Sequence, residues 1–270
     1  MKCAIAIPAR YGSTRFPGKP LVPIGNLTML ERVVRIARSA AQACDDVSIF
    51  VTTEDKRIAD HAKEINVPCI ITPASCRTGS DRVLSAIRQL DQWPDFIVNL
   101  QGDAPFTPPN VIERMIEAFK NGGRPEVVTP AVQLSWEALD KLRDSKKSTP
   151  FSGTTVTFDE KGNALWFSKN IIPAIRKEDD LRSASPLSPV WQHMGLYGFR
   201  SDVLEKFCTL TEGKYEALEG LEQLRLLENG INIKIVPVEL AHGAMQSGID
   251  SPEDIKRAEA YIKQHGELVA

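Results

Sequence analysis

The chain has 270 residues, 42% of them hydrophobic and 25% charged, which suffices for one large α/β domain or one domain with a sizeable insertion. Its formal net charge of −2 provides no general basic field, so nucleic acid is not an expected partner and any anion site must be a local cluster. No apolar run approaches the ~20 residues that span a bilayer, and the first residues lack a signal-peptide pattern, so we expect no membrane partner and a cytoplasmic location.

The first 120 residues alternate short apolar runs with helical patterns. Strands are predicted at 3–9, 46–53, 68–72 and 95–103, and helices at 28–43, 54–65, 79–90 and about 109–120. Runs that are apolar on both faces are typical of buried parallel strands. The alternation therefore predicts an α/β fold with a mainly parallel, doubly wound sheet.

Beyond residue 125 this alternation ends, and strand-like patterns follow one another. Strands are predicted at 127–134, 190–200 and 231–239, together with a hairpin at 154–169 that turns at 159–163. Residues 174–189 are polar and rich in Pro and Ser, and we interpret them as a long loop or flap. The second half is therefore expected to be antiparallel and to carry long loops.

Two helices are predicted in the last quarter of the chain. An amphipathic pattern at 216–230 ends at Gly230 and would place four leucines in the core, Leu218, Leu221, Leu224 and Leu227. A second helix, at 251–265, has Pro252 in its first turn. Because no repeat or linker interrupts the chain, we expect one domain over 1–270, with halves at 1–125 and 126–250 and a C-terminal helix in 251–270.

The segment PARYGSTRFPGKP, at 8–20, follows the first predicted strand. Five residues separate Gly12 from Gly18, one more than in a P-loop, and residue 20 is a proline that has no hydroxyl for a magnesium ion. The GxGxxG dinucleotide pattern is also absent. Its three cationic side chains, Arg10, Arg15 and Lys19, lie where open α/β sheets bind ligands, and they suit a polyphosphate.

A carboxylate follows another predicted strand in the segment NLQGDAP. Asp103 would face the same crevice as the cationic loop, where a carboxylate is repelled by phosphates unless a divalent cation lies between them. Mg²⁺ binds in this way, through one or two carboxylates and the substrate phosphates. Asp250, in GIDSPEDI, is a candidate for the second carboxylate, although by itself it could equally cap the following helix.

Seven segments in order resemble the 3-deoxy-manno-octulosonate cytidylyltransferase (CMP-Kdo synthetase) family, which includes an 8-amino-3,8-dideoxy-manno-octulosonate variant. They are IPARYGSTRFPGKPL, TGSDRV, VNLQGDAPF, FSKNIIP, HMGLYGFR, LEQLRLLENG and GIDSPEDI, and they span Ile5 to about Arg257. The resemblance implies a nucleotide-diphospho-sugar-transferase-like α/β fold and a Mg²⁺-dependent reaction of CTP with a 2-keto-3-deoxy sugar acid. It also implies a homodimer with contacts from the second half, and a role in lipopolysaccharide synthesis.

The resemblance also assigns residues to roles. It implies that Arg10, Ser13, Arg15 and Lys19 hold the CTP phosphates, that Thr78, Arg82 and Gln101 surround the cytidine, and that Asp103 and Asp250 bind magnesium. The catalytic residues would be Lys19, Arg15 and Asp103. The sugar side would be lined by Lys169, Arg176, His193, Tyr197, Glu222 and Gln223.

Two residues depart from the family pattern. Residue 104 is Ala where the family typically has Glu, and residue 169 is Lys where it usually has Arg. A lysine lacks the bidentate fork of an arginine, so the change is not neutral at a site that grips a sugar acid. We therefore keep both Kdo and a modified octulosonate, such as the 8-amino form, as substrates.

Three further functions stay open at this point. The first is a CMP-sialate-type synthetase, with the same first loop and another sugar pocket. The second is a nucleotidyltransferase for a sugar or polyol phosphate, which would need a further basic cluster that the sequence does not provide. The third is a non-catalytic nucleotide-binding homologue, which the presence of Lys19, Asp103 and Asp250 argues against.

Overall fold

The structure is a computed structural model that describes residues 1–12, 16–240, 248–249 and 251–269. Its strands are β1 Cys3–Pro8, β2 Pro23–Ile24, β3 Leu27–Thr28, β4 Val47–Thr53, β5 Cys69–Ile71, β6 Phe96–Asn99, β7 Val127–Ser135, β8 Thr155–Phe158, β9 Ala164–Ser168, β10 Leu187–His193, β11 Tyr197–Arg200 and β12 Ile233–Pro237. Its helices are α1 Met29–Gln42, α2 Lys56–Glu64, α3 Gly79–Ile87, α4 Pro109–Asn121, α5 Trp136–Ser148, α6 Glu178–Ala184, α7 Ser201–Thr209, α8 Lys214–Glu219, α9 Gln223–Glu228 and α10 Pro252–His265. A short 3-10 helix lies at Lys19–Leu21. None of the helices in these ranges is long and apolar enough to cross a membrane.

The N-terminal half forms the parallel part of the sheet. Strand β1 pairs in parallel with β4 on one side and with β6 on the other, and β5 continues the sheet beyond β4. Every residue of β1 is buried, and its side chains alternate between two cores. Cys3, Ile5 and Ile7 pack with helices α1 and α4, whereas Ala4 and Ala6 pack with α3. The predicted doubly wound, mainly parallel sheet is confirmed.

The second half extends the same sheet with antiparallel strands. Strand β11 lies antiparallel to both β6 and β7, and the order then continues through β10, β8 and β9. Strand β12 pairs in parallel with β7. The predicted antiparallel second half and the hairpin with its turn at 159–163 are therefore confirmed.

The interpretation of 174–189 as a loop or flap was wrong. This segment contains α6 and the start of β10. The Glu178 carboxylate accepts hydrogen bonds from Arg143, on α5, at 2.8 Å and from Arg182 at 2.7 Å. These contacts, together with the acidic first turn of α6, stabilise a short surface helix that has no apolar periodicity in sequence.

The prediction of a single helix at 216–230 was also wrong. Gly220 adopts a left-handed conformation, with φ of 63°, and separates α8 from α9. Leu221 and Leu224 lie in the core as expected and Leu227 is partly buried against it, but Leu218, on α8, is 70% exposed.

Two further differences concern element boundaries. The strand predicted at 190–200 is two strands, because β10 ends at His193 and the chain turns before β11. Helices α5 and α7 were not predicted. The first of them begins with a sequence signal, since Ser135 caps it by accepting a hydrogen bond from the Ala138 N–H at 3.1 Å.

Candidate active site

A cavity of about 260 Å³ opens at the carboxyl ends of β1 and β6 and at the start of α3. It is lined by Pro8, Ala9, Arg10, Lys19, Pro20, Cys76, Arg77, Thr78, Gly79, Arg82, Gln101, Gly102 and Asp103. Six residues predicted for the nucleotide and the metal therefore meet around one cavity, although they come from three separate segments. The predicted residues Ser13, Arg15 and Asp250 lie outside the described part of the chain.

The cationic loop returns to the sheet through a compact turn. The Gly18 N–H donates to the Tyr11 carbonyl at 2.9 Å, and Gly18 has φ of 72°, a conformation that favours glycine. Lys19 then begins the 3-10 helix and is only 8% exposed, so its ammonium is held at the cavity wall. The Lys19 Nζ donates to Asp103 Oδ2 at 2.8 Å. This ion pair joins the loop after β1 to the turn after β6.

The turn that carries Asp103 is held by its backbone. The Gly102 N–H donates to the Pro8 carbonyl at 3.3 Å, and a Cβ at Gly102 would lie 2.9 Å from that oxygen, so only glycine fits. On the other side, the Ile249 N–H donates to the Asp103 carbonyl at 3.0 Å. The residue that precedes Asp250 in sequence is thus bonded to the backbone of Asp103.

The start of α3 forms the opposite wall of the cavity. Thr78 caps the helix, because its hydroxyl accepts from the Asp81 N–H while the Asp81 carboxylate accepts from the Thr78 N–H, each at 3.0 Å. The buried guanidinium of Arg82 donates to Thr72 Oγ1 at 2.8 Å and lies 2.7 Å from Glu54 Oε2. These contacts hold the guanidinium of Arg82 in place. Glu54, which supports it, was not predicted from the sequence.

Gln101 connects this wall to the sheet. Its Nε2 donates to Asn99 Oδ1 at 3.1 Å, which leaves Oε1 as the amide atom that can accept from a ligand. Asn99 in turn lies opposite Tyr197 in the pairing of β6 with β11. This hydrogen bond and this strand pair link Gln101, at the cavity wall, to a second polar group on the antiparallel strands.

Arg77 is the second residue that the sequence analysis missed. It is exposed and lines the cavity next to Cys76, in the segment CRTGSD. The available signal was a cation directly before the helix cap Thr78, one residue ahead of the motif TGSDRV. With Arg10, Lys19 and Arg82, Arg77 gives the cavity four cationic side chains among the described residues.

The second polar group consists of Lys169, His193, Tyr197, Glu222 and Gln223, which we call the β10–β11 group. The His193 ring lies between those of Phe167 and Tyr197, with centroids 5.0 and 5.5 Å away. Burial, and secondarily the charge of Lys169, lowers the pKa of His193 to about 3. His193 is therefore neutral at physiological pH.

The tautomer of His193 follows from its hydrogen bond. Thr129 Oγ1 donates to the Leu196 carbonyl at 2.7 Å and lies 2.8 Å from His193 Nε2. Since the hydroxyl proton is engaged by Leu196, Nε2 of His193 carries the proton and donates to Thr129. Nδ1 is left as an acceptor, so His193 is a buried packing residue with one acceptor atom.

Glu222 and Gln223 carry buried polar atoms without a hydrogen-bond partner in the described residues. These atoms are Glu222 Oε1 and Gln223 Nε2. Burial raises the pKa of Glu222, and it also raises the pKa of Tyr197, which the Glu222 charge raises further. Orphaned buried groups cost free energy unless a ligand or water satisfies them, so this pair is suited to a polar ligand.

Lys169 is held by its backbone as well as by its side chain. Its N–H donates to Glu219 Oε2 at 2.8 Å, and its Nζ donates to Thr154 Oγ1 at 3.3 Å. Burial lowers the pKa of Lys169, whereas the Glu219 carboxylate raises it. Glu219 was not predicted. Arg176 is exposed before α6, and no hydrogen bond or ion pair joins it to the β10–β11 group in the described ranges.

The fit of the site to a magnesium ion depends on its oxygen donors. Among the residues that the structure describes, no three acidic, His or Cys side chains cluster as a metal cage. Asp103, at the cavity wall, is a hard carboxylate donor of the kind that binds Mg²⁺ together with substrate phosphates. The described part of the site therefore fits a metal that is bound together with a polyphosphate.

Comparisons with known proteins agree with this geometry. A family model described as cytidylyltransferase matches residues 4–235. The 3-deoxy-manno-octulosonate cytidylyltransferase of Maricaulis maris is 42% identical over 269 residues, which cover 100% of each chain. The 8-amino-3,8-dideoxy-manno-octulosonate cytidylyltransferase of Shewanella piezotolerans is 38% identical over 265 residues, covering 97% of this chain and 99% of the relative. The solved structure of CMP:2-keto-3-deoxy-manno-octonic acid synthetase complexed with CTP has a TM-score of 0.82 and 29% identity, covering 98% of this chain and 99% of the other.

Proposed function

Because the chain belongs to the cytidylyltransferase family, we propose that it transfers CMP from CTP to a 3-deoxy-manno-octulosonate-type sugar acid and releases pyrophosphate. The observation that carries this proposal is the link between a cation-lined cavity and the β10–β11 group. Gln101, at the cavity wall, is hydrogen-bonded to Asn99, which pairs with Tyr197 of that group. A nucleotide in the cavity would thus lie near a group that provides a cation and unpartnered buried polar atoms.

The reaction follows from these positions. The anomeric hydroxyl oxygen of the sugar attacks the α-phosphorus and loses its proton, while the bond from that phosphorus to the bridging oxygen breaks and pyrophosphate leaves. Little covalent work falls to the protein, so positioning and charge neutralisation dominate. Lys19 and Arg10 would neutralise the phosphates, with Arg15 as a further candidate from the same loop. Gln101 Oε1 can accept a hydrogen bond from the cytosine amino group. Buried Arg82, which lines the same cavity, would lie beside the cytidine.

The sugar acid would lie on the β10–β11 group. The Lys169 ammonium would pair with the carboxylate of the sugar, and the unpartnered Glu222 Oε1 and Gln223 Nε2 would bind its hydroxyls. Tyr197 lies beside the neutral His193, whose Nδ1 can accept. Arg176 is exposed and would reach the sugar only from the surface of the chain.

A magnesium ion is the cofactor that we expect, held by Asp103 and Asp250 together with the phosphates. When bound, Mg²⁺ supplies charge neutralisation at the α-phosphate. Calorimetry with D103N tests this assignment. We expect CTP to bind this variant equally well with and without Mg²⁺, whereas the unchanged enzyme should bind CTP more tightly with the ion. A D103N enzyme that keeps the full Mg²⁺ effect would contradict the assignment.

The 8-amino sugar is a second candidate substrate, and one observation favours it. Glu222 is a largely buried carboxyl group with an unpartnered oxygen, and Lys169 stands where the family usually has arginine. A buried carboxylate can stabilise an ammonium group of a ligand. Measuring kcat/KM for both sugars separates the candidates. A higher value for the 8-amino sugar supports it as the substrate, whereas an equal or higher value for Kdo contradicts it.

The proposal also includes a homodimer that works in the cytoplasm. We expect a homodimer formed by the second half, since Phe151, Leu165 and Leu218 are 74%, 60% and 70% exposed there. We expect the enzyme to work in the cytoplasm, on a sugar acid destined for lipopolysaccharide. Light scattering tests the dimer directly.

A pyrophosphate-release assay tests the function itself. The assay would use CTP, Mg²⁺ and a panel containing Kdo, 8-amino-8-deoxy-Kdo, a sialic acid and a sugar phosphate. Release with an octulosonate alone supports the proposal. Release with sialic acid alone would indicate a CMP-sialate-type synthetase, and CTP binding without release would indicate a non-catalytic homologue.

A further inference from the structure

Lys146, in the last turn of α5, places its ammonium among backbone carbonyls. The Nζ donates to the carbonyl oxygens of Lys169 at 2.6 Å, Gly153 at 3.2 Å and Pro150 at 3.3 Å, and also to that of Ser152. An ammonium has only three N–H donors, so these four acceptors satisfy it completely. The side chain is therefore committed to the protein and is not offered to a ligand.

The carbonyls that Lys146 gathers belong to two segments that meet at Lys169. One segment is the turn at 150–153, which leads directly to Thr154, the partner of the Lys169 Nζ. The other is the backbone of Lys169 itself, whose N–H is held by Glu219. Lys146 thus holds the carbonyl of Lys169. It also holds the turn at 150–153 that precedes Thr154, the side-chain partner of Lys169.

This arrangement has an electrostatic cost. Burial lowers the pKa of Lys146, and the nearby charge of Lys169 lowers it further. Two cations kept close together in a partly buried region oppose folding unless polar groups offset the repulsion, and the four carbonyls do so. A neutral apolar side chain would avoid the repulsion but would leave these carbonyls without their donor.

We propose that Lys146 is a positioning residue that holds Lys169 in place to receive the carboxylate of the sugar acid. This inference rests on the proposed function. Lys146 itself touches neither substrate. Its removal should weaken sugar binding without changing nucleotide binding, because its contacts involve the turn at 150–153 and Lys169, whereas the cavity is lined by other segments.

The neighbouring lysine on the same helix provides a matched control. Lys147 is largely exposed and pairs with Asp144 at 2.7 Å, within its own helix. We compare K146M with K147M by steady-state kinetics and thermal unfolding. K146M should raise the KM for the sugar about tenfold, with the KM for CTP within twofold of the unchanged enzyme. K147M should change neither.

A double variant separates positioning from a general loss of structure. In a K169M background, K146M should cause little further rise in the sugar KM, because the residue that it positions is already absent. An equal further rise in that background, or a K146M enzyme with unchanged sugar KM, would overturn the inference. So would a parallel rise in the CTP KM.

Folding failure is also informative. K146Q keeps two N–H donors, and we expect it to fold and to show the same selective rise in the sugar KM, about threefold. If neither K146M nor K146Q folds, the role of Lys146 is structural and the inference is wrong. If the unchanged enzyme releases no pyrophosphate with any sugar acid, the proposed function fails first and this inference fails with it.

Discussion

The ammonium of Lys19 lies 2.8 Å from the Asp103 carboxylate, although 84 residues separate the two in the chain. The family resemblance implied different roles for these residues, Lys19 at the CTP phosphates and Asp103 at the metal. The two side chains pair with each other, so their opposite charges compensate at the cavity wall. A polyphosphate bound with its cation would offer each of them another opposite charge.

Replacing Lys19 with Met should lower kcat/KM for CTP by about 100-fold or more, because a fixed cation at the phosphates is lost. Thermal stability should change little, since the side chain of Asp103 is 42% exposed and water can solvate its carboxylate. Pyrophosphate release and a melting curve measure the two effects. Lys56, exposed at the start of α2, is the control position for the same substitution. A K19M enzyme with full kcat/KM would remove Lys19 from the site.

Arg77 should contribute to nucleotide binding although no motif pointed to it. We expect R77M to raise the KM for CTP about tenfold and to leave the sugar KM unchanged, because the residue lines the nucleotide cavity. R88M, at the other end of α3, removes an exposed ion pair with Glu205 and should have no effect.

Cys76 gives the Arg77 prediction a readout that does not depend on turnover. This thiol lines the cavity beside Arg77. Alkylation of Cys76, followed by mass spectrometry, should be slowed by CTP in the unchanged enzyme and less so in R77M at the same CTP concentration. Equal protection in both proteins would argue against the Arg77 contact.

His193 should make stability depend on pH in a defined window. Its pKa in the folded chain is about 3, below the ordinary 6.5, so the unfolded chain binds more protons between these values. The contribution of neutral His193 to the free energy of unfolding is therefore fully present above about pH 6.5 and is lost as the pH falls towards 3. The slope approaches about 1.4 kcal/mol per pH unit.

The comparison protein for this measurement is H193Q, which cannot take up a proton. Between pH 7 and 5, the free energy of unfolding in urea should fall by about 2 kcal/mol more in the unchanged protein than in H193Q. Carboxylates contribute equally to both proteins and cancel in the difference. Parallel pH curves would mean that His193 is not buried as a neutral ring.

Two glycines of the segment HMGLYGFR should respond differently to alanine. A Cβ at Gly198 would overlap the ring of Phe96, which stacks on Phe119 with centroids 4.3 Å apart. A Cβ at Gly195 would meet nothing within 4 Å. We expect G198A to cost about 1–3 kcal/mol in the free energy of unfolding, because a packed aromatic pair must shift. G195A should cost less than 1 kcal/mol by the same denaturant titration, and the reverse order would contradict this packing.

Local patterns were sufficient wherever a short stretch carries its own physical reason. The alternation of apolar strands and helices determined the parallel half, and the turn signal at 159–163 determined the hairpin. Helix α6 was missed because the contacts of Glu178 with Arg143 come from another helix and leave no periodicity in the segment itself. The break at Gly220 was missed because a glycine inside an amphipathic pattern does not reveal which conformation the packing will select.

For the site, the sequence by itself determined which chemistry is present: cations after the first strand, a carboxylate after another strand, and a lysine in FSKNIIP. Only the tertiary structure decided how these groups are paired and supported. It joined Lys19 to Asp103, placed Glu54 behind Arg82, and surrounded Lys146 with the carbonyls that fix Lys169. These relationships depend on distances between segments far apart in the chain. Residue type and spacing encode what a side chain can do, whereas its partner is set by the packing of the whole sheet.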